Sequence, residues 1–185
     1  MHDRIDVSGI IMAVLFTSLG IIFPMLFHLV GAGSIFLPMY IPLAVGACLM
    51  KRSHALMIGA FTPILSSILT GMPPMYPPIA FMMSIQLGCL CLVISTCIHS
   101  LKAPVFLSLL AALMLERLTM ALLYLFIMPL FGVNAEAFTI YDLARGLPGV
   151  GLILILVPVI VPRAIRIINR NRLRLYEKKG EPSEP

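Results

Sequence analysis

The chain has 185 residues, of which 60% are hydrophobic and only 11% charged, with a formal net charge of +5 and a mean hydropathy of +1.04. Soluble domains carry about 25% charge and about 45–50% apolar residues, so this balance excludes a water-soluble globular fold, and it equally excludes intrinsic disorder and collagen-like or coiled-coil composition. The reading is an all-α membrane protein, a single integral membrane domain over residues 1–185, with space for about five to seven spanning helices of roughly 20 residues.

Residues 1–6 are short and polar. The first apolar run, 7–30, is far longer than a signal-peptide core, lacks a small-residue cleavage site, and is expected to be a retained helix. Its Gly9, Ala13 and Thr17 form a stripe of small residues at four-residue spacing, which marks a packing face toward its own bundle or toward another subunit. Segment 35–50 is short and interrupted by Pro38 and Pro42, and segment 55–69 is short and carries Pro63. These two suit a tilted or broken pair buried among neighbours that satisfy the freed carbonyls. Segments 77–98, 104–130 and 143–161 have full spanning length. The expectation is six transmembrane helices, the second and third short and proline-interrupted.

Orientation follows from the basic residues. Arg4, the turn Lys51, Arg52, Ser53 and His54, the turn from His99 to Lys102, and the tail from Arg163 all fall on one side if six helices alternate. The opposite connections, 31–34, 70–76 and 131–141, contain no Lys or Arg. Positive-inside then places the N- and C-termini in the cytoplasm. Seven of the 13 basic residues lie between Arg163 and Lys179, a membrane-proximal basic tail over anionic lipid (163–185) rather than a nucleic-acid surface.

Cys48, Cys89, Cys91 and Cys97 sit within apolar runs as small packing residues. Cys89 and Cys91 point about 200° apart around a helix and cannot chelate one metal from one face. Walker A, Gly-x-Ser-x-Gly and His-Glu-x-x-His patterns are missing, and His2, His28, His54 and His99 are scattered among termini and turns. Neither an enzyme nor a cofactor or metal site is expected, and the chain does not hydrolyse ATP by itself.

Glu116 and Arg117 fall in the middle of segment 104–130. Two central charges cost about 5–7 kcal/mol on the insertion scale, while the fourteen Leu, Ile, Val and Phe residues of that segment supply about 4–8 kcal/mol, so this helix requires neighbours. A buried structural ion pair is one reading. The other is a site for the polar head of a substrate, with Arg117 favoured: Arg suits a carboxylate or phosphate, and Glu an amine, amide or hydroxyl. Arg117 shares a helix face with Leu113, Ala121 and Tyr124; Glu116 shares one with Ala112, Met120 and Leu123.

Four of the five tyrosines, Tyr40, Tyr76, Tyr124 and Tyr141, collect on the Lys/Arg-free side with Phe36, Phe131 and Phe138. They form an interfacial belt or line a ligand site opening outward. Residues 70–78 hold four prolines in nine positions, a stiff extended loop that serves as connector or as a pre-ordered wall of a site. Gln86 is the only amide within a span and suits an interhelical hydrogen bond or a site contact. Residues 131–145 supply Asn134, Tyr141, Asp142 and Arg145, either as a capped helix start with a local ion pair or as a loop closing over a ligand.

At Phe36, Leu37, Pro38, Met39, Tyr40, Ile41, Pro42 and again at Leu69, Thr70, Gly71, Met72, Pro73, Pro74, the chain resembles the substrate-binding S components of energy-coupling factor (ECF) vitamin transporters. The resemblance extends to helix count, size and orientation. It departs at Tyr40, where a His is frequent, and at Lys51 to His54, where a Gly-rich turn is frequent. It implies a multi-pass plasma-membrane protein of a prokaryote that binds a scarce micronutrient from outside, with Met39 among the lining residues. It further implies a transmembrane coupling protein, meeting the stripe Gly9, Ala13, Thr17, and two cytoplasmic ATPases as partners. By resemblance only, pantothenate is the first substrate to consider, beside folate, biotin, niacin, a corrinoid, and queuosine or thiamin precursors. A self-contained ion-coupled carrier using Glu116, or a non-transporting scaffold, are the readings from other classes.

Overall fold

The computed structural model describes residues 6–29, 37–76, 78–132 and 135–179, and all secondary structure among them is helical. In chain order these are α1 (Val7–Leu29), α2 (Tyr40–Leu49), α3 (Arg52–Thr70), α4 (Ile79–His99), α5 (Val105–Ile127), a 3-10 turn at Met128–Phe131, and α6 (Ala135–Lys179). Five of the six α-helices contain stretches long and apolar enough to cross a bilayer, and the sixth is the short α2.

α2 has 10 residues and rises about 15 Å, half of a hydrocarbon core about 30 Å thick. Pro38 lies before it and Pro42 in its first turn, where the missing N–H has no intrahelical partner to lose. The prolines therefore set where this helix begins rather than interrupting it. Residues Tyr40 to Cys48 are all buried, with α1, α3, α4 and α6 packed around them. Ser95 of α4 donates to the Met50 carbonyl at 2.8 Å and so satisfies an acceptor just past the end of α2.

The expected break at Pro63 is not observed. α3 runs through it without interruption and starts at Arg52, three residues earlier than the apolar run suggests. Close packing explains why the helix holds, since α3 and α4 share the most extensive contact in the molecule. Gly59 makes this possible: a Cβ there would sit 2.3 Å from the Leu87 carbonyl oxygen and 2.9 Å from Gly88 Cα. The last helix corrects a second expectation. The helix over 143–161 with a loop before it is instead one helix of 45 residues, about 68 Å long, that takes in 135–145 as well as the basic stretch to Lys179. Asp142 and Arg145 thus lie within α6, not at its start.

The basic segments converge as the charge pattern requires. A cavity of about 410 Å³ is lined by Asp6 and Gly9 of the α1 start, Lys51 and His54 of the α2–α3 turn, His99 at the end of α4, and Ile165 and Ile168 of α6. Arg52 donates to the Ser100 hydroxyl across the same end, and Lys51 Nζ lies 3.1 Å from Asp6 Oδ2. At the opposite end the chain turns at 37–39, 71–76 and 128–132. The outer surface is apolar along its length, with Ile11, Val14, Phe61, Ile68, Phe126 and Ile155 exposed, as befits helices facing lipid.

The small-residue stripe of α1 is used inside the bundle. Gly9 abuts the His54 ring, Thr17 Oγ1 accepts from Thr62 Oγ1 at 3.4 Å, and Gly20 lies against Thr62 and Leu43. Ala13 packs half-buried against the same core. Of the two uses its spacing allows, close approach within one chain is the one this geometry displays.

Two predictions follow from this packing. Gly59→Ala, which drives a methyl into the α4 backbone, should lower unfolding stability by about 1–3 kcal/mol, whereas Gly151→Ala, with open space around it, should leave thermal unfolding in detergent unchanged or slightly raised. The Gly9 N–H and Lys51 hold the Asp6 carboxyl below its ordinary value of 3.8. A lowered folded-state value stabilises above the unfolded one and is lost as pH falls through the folded one. Between about pH 5 and pH 3 the wild-type unfolding midpoint should therefore fall more steeply than that of Asp6→Asn.

Candidate functional site

The α5 helix buries one stripe, running through Leu109, Ala112, Leu113, Glu116, Met120 and Tyr124. Glu116 is fully buried at its centre, and Arg117 stands on its flank with 14% of its side chain exposed. Adjacent helix positions point about 100° apart, so the two meet only by bending together. The Arg117 side chain does bend back, bringing Nε to 3.1 Å from Glu116 Oε2. The contact is Coulombic without being an aligned hydrogen bond: both of these atoms are buried and lack hydrogen-bond geometry with any partner among the described residues.

The other carboxylate oxygen is engaged. Tyr40, the first residue of α2, donates its hydroxyl to Glu116 Oε1 at 2.9 Å, joining positions 76 residues apart. The backbone before it is shaped for this. Leu37 adopts φ 47°, a left-handed conformation costing a branched side chain about 1–2 kcal/mol, and its carbonyl accepts the Tyr40 N–H at 2.9 Å. The turn thereby seats Pro38, Met39 and Tyr40 in the bundle.

Arg117 has further neighbours. Its Nη1 lies 3.5 Å from Met120 Sδ, and Gly146 of α6 lies against the guanidinium so closely that a Cβ would come within 3.1 Å of Nη1. Gln86 of α4 is 2% exposed, and its Nε2 has no hydrogen-bond partner among the described residues. One turn along the same helix, Met82 shares a buried cluster with Met120 and Tyr124 of α5 and Met128 of the 3-10 turn. That antiparallel register sets Gln86 at about the depth of Met120, the residue Arg117 touches. Four polar side chains, Tyr40, Gln86, Glu116 and Arg117, thus come from α2, α4 and α5 to one level of the bundle, with Tyr124 above them.

The expected residues divide accordingly. Tyr40 and Tyr124 are buried. Tyr76 is 74% exposed and meets Phe131 edge to face at 5.7 Å, as an interfacial pair does. Met39 lines a cleft of about 140 Å³ with Pro24, Leu37, Pro38, Met72, Pro73 and Met83. The proline-rich wall of this cleft is pinned to α3, where Ser66 and Ser67 donate to the Met72 and Pro73 carbonyls at 2.7 and 2.6 Å. Asn134 lies outside the described residues, as do the side chains of Tyr141, Asp142 and Arg145.

Met120 and Gly146 were not singled out from the sequence. Met is common throughout this chain, so nothing distinguished Met120, but a glycine directly after Arg145 within a spanning helix was a readable sign of a close neighbour. Among the described residues no group of three or more His, Cys, Asp or Glu is placed to hold a metal ion. Comparison of the chain with family models, curated proteins and solved structures finds no match.

The Tyr40–Glu116 hydrogen bond yields a direct test. In a double-mutant cycle of Tyr40→Phe and Glu116→Gln, read by unfolding in detergent, the coupling energy should be about 1–2 kcal/mol. A value near zero would mean that the two side chains do not interact in the folded protein.

Proposed function

We propose that this chain is the substrate-binding membrane subunit of an ECF-type importer, taking up a vitamin or related micronutrient in the plasma membrane of a prokaryote. The observation that carries the reading is the cluster Tyr40, Gln86, Glu116 and Arg117, three buried polar side chains and a partly buried Arg inside an apolar bundle, with several atoms lacking hydrogen bonds among the described residues. Each such atom costs about 1–3 kcal/mol in a protein interior, so polar groups left under-satisfied there are retained for a use.

Further support comes from the two ends. On this reading the end that gathers Lys51, Arg52, His54 and His99 faces the cytoplasm, and the end with the Met39 cleft, Tyr76 and the pinned proline loop faces outward. Solute would enter between the 37–39 turn and the 72–73 loop and reach the cluster beneath Met39. A bundle of this size holds no nucleotide-hydrolysing motif, so release would fall to a coupling protein and two cytoplasmic ATPases. Because Gly9 and Thr17 are committed to α3, the coupling protein would meet the exposed face of α1 that carries Ile10, Val14 and Leu15.

An ion-coupled secondary carrier is the second reading, and the full burial of Glu116 is what favours it. A thermal-shift screen of the detergent-purified chain against water-soluble vitamins and their precursors separates the two. Selective stabilisation by one compound without sodium or a pH gradient is the expected result, and Arg117→Met should weaken that compound's binding about 10- to 100-fold. A shift seen only with sodium or with a change of pH would transfer the assignment to the carrier.

A further inference from the structure

The cluster is asymmetric in what it has left to offer, and this deepens the capture reading on which it rests. Glu116 Oε1 accepts the Tyr40 hydroxyl at 2.9 Å, and Oε2 faces Arg117 Nε at 3.1 Å. Oε1 is thus hydrogen-bonded within the chain and Oε2 is engaged by the ion pair without hydrogen-bond geometry, so Glu116 is drawn into positioning. Arg117 Nη1 has the soft Met120 sulfur at 3.5 Å, a weak acceptor, and Nη2 has no hydrogen-bond partner among the described residues. Gln86 Nε2 has none either, and Gln86 is 98% buried by its 2% exposure. These two are N–H donors outside the ion pair; the other two atoms of the cluster without a hydrogen bond, Arg117 Nε and Glu116 Oε2, face each other within it. The two donors come from two helices packed against each other, and Gln86 stands one turn from Met82, which shares a buried cluster with Met120.

A pair of unpartnered donors on packed helices, one cationic and one neutral, matches an acceptor with two oxygens and a negative charge. We infer that Arg117 Nη2 and Gln86 Nε2 together take a carboxylate of the solute, with Glu116 and Tyr40 acting as positioning residues that hold the guanidinium in place. A solute amine would have to compete with Arg117 for Glu116 Oε2 and with Tyr40 for Oε1. Gly146 adds to the geometry: its lack of a side chain is what allows the guanidinium to lie between α5 and α6, and a Cβ would press on Nη1. The specificity assigned to the site is thus for acids over their neutral or amidated counterparts, and Gln86 becomes a specificity-determining residue beside Arg117.

The test uses the full chain in detergent and three pairs of probes that differ only at the acid: nicotinate and nicotinamide, pantothenate and panthenol, biotin and biotinamide. The acid of one pair should stabilise the protein while its neutral partner does not. Gln86→Met, a substitution of similar length that suits a buried position, should weaken that acid about 10- to 100-fold, and Gln86→Glu, which sets a second carboxylate against the ligand, should weaken it further. Glu116→Gln with Tyr40 intact should lower affinity less than Arg117→Met does. If the neutral member binds equally well, or if Gln86→Met folds and leaves affinity unchanged, the donor-pair assignment is overturned while capture stands. Binding of a cationic vitamin such as thiamin would likewise overturn the assignment and keep the capture reading. Should no compound of any charge shift the protein, both fall together.

Discussion

A ten-residue helix enclosed on all sides is the constraint around which this molecule is organised. α2 is too short to cross a bilayer and has no face toward lipid, so α1, α3, α4 and α6 must close around it. Its two ends then need polar partners supplied from elsewhere, and each gets one. Ser95 takes the carbonyl past its C-terminus, and Tyr40 at its N-terminus carries a hydroxyl into the bundle to Glu116. The second of these contacts brings a charged position of α5 to the core, and with it the guanidinium next door. The polar cluster is in this sense a consequence of α2 being short.

The energetics run in the same direction. A carboxylate and a guanidinium at mid-helix make α5 a poor span alone, and their mutual contact does not fully compensate for burial. What compensates is distributed: the tyrosine on Glu116, the methionine sulfur on Arg117, and the room provided by Gly146. Outside the Glu116–Arg117 ion pair, the remaining deficit sits on two donors, Gln86 Nε2 and Arg117 Nη2. Around it the packing is dry and apolar, with Met82, Met120, Tyr124 and Met128 forming a small separate core above the main one.

Much of this was legible in the residues. Span positions followed from apolar runs, and the grouping of Lys51 to His54 with His99 and the start of α1 followed from charge alternation, because both depend on local composition. Tyr40, Gln86, Glu116 and Arg117 were each visible as polar residues in apolar surroundings. That they share one depth was not, since it depends on the register of α4 against α5 and on where α2 begins. Pro63 misled because the cost of a proline is judged against an isolated helix, while α3 is held by α4 along its length. The 131–145 region was read as a connection from its polar residues, yet 135–145 belong to α6, where Thr139 and Asp142 each cost at most about 0.7 kcal/mol of helix propensity.

The close approach at Gly59 restricts how such a bundle can deform. With the α3 and α4 backbones in direct contact at the Leu87 carbonyl, these two helices have no room to slide or rotate past one another and behave as one slab. α5 flanks that slab through ordinary side-chain packing, and α6 packs in turn on α5 and α2. α1 touches the remainder along a single face and is otherwise exposed, so it is the softest mechanical coordinate of the molecule. Pro24 of α1 borders the Met39 cleft. α1 is therefore the wall of that cleft held least firmly by the rest of the protein, and the surrounding acyl chains supply the remaining confinement.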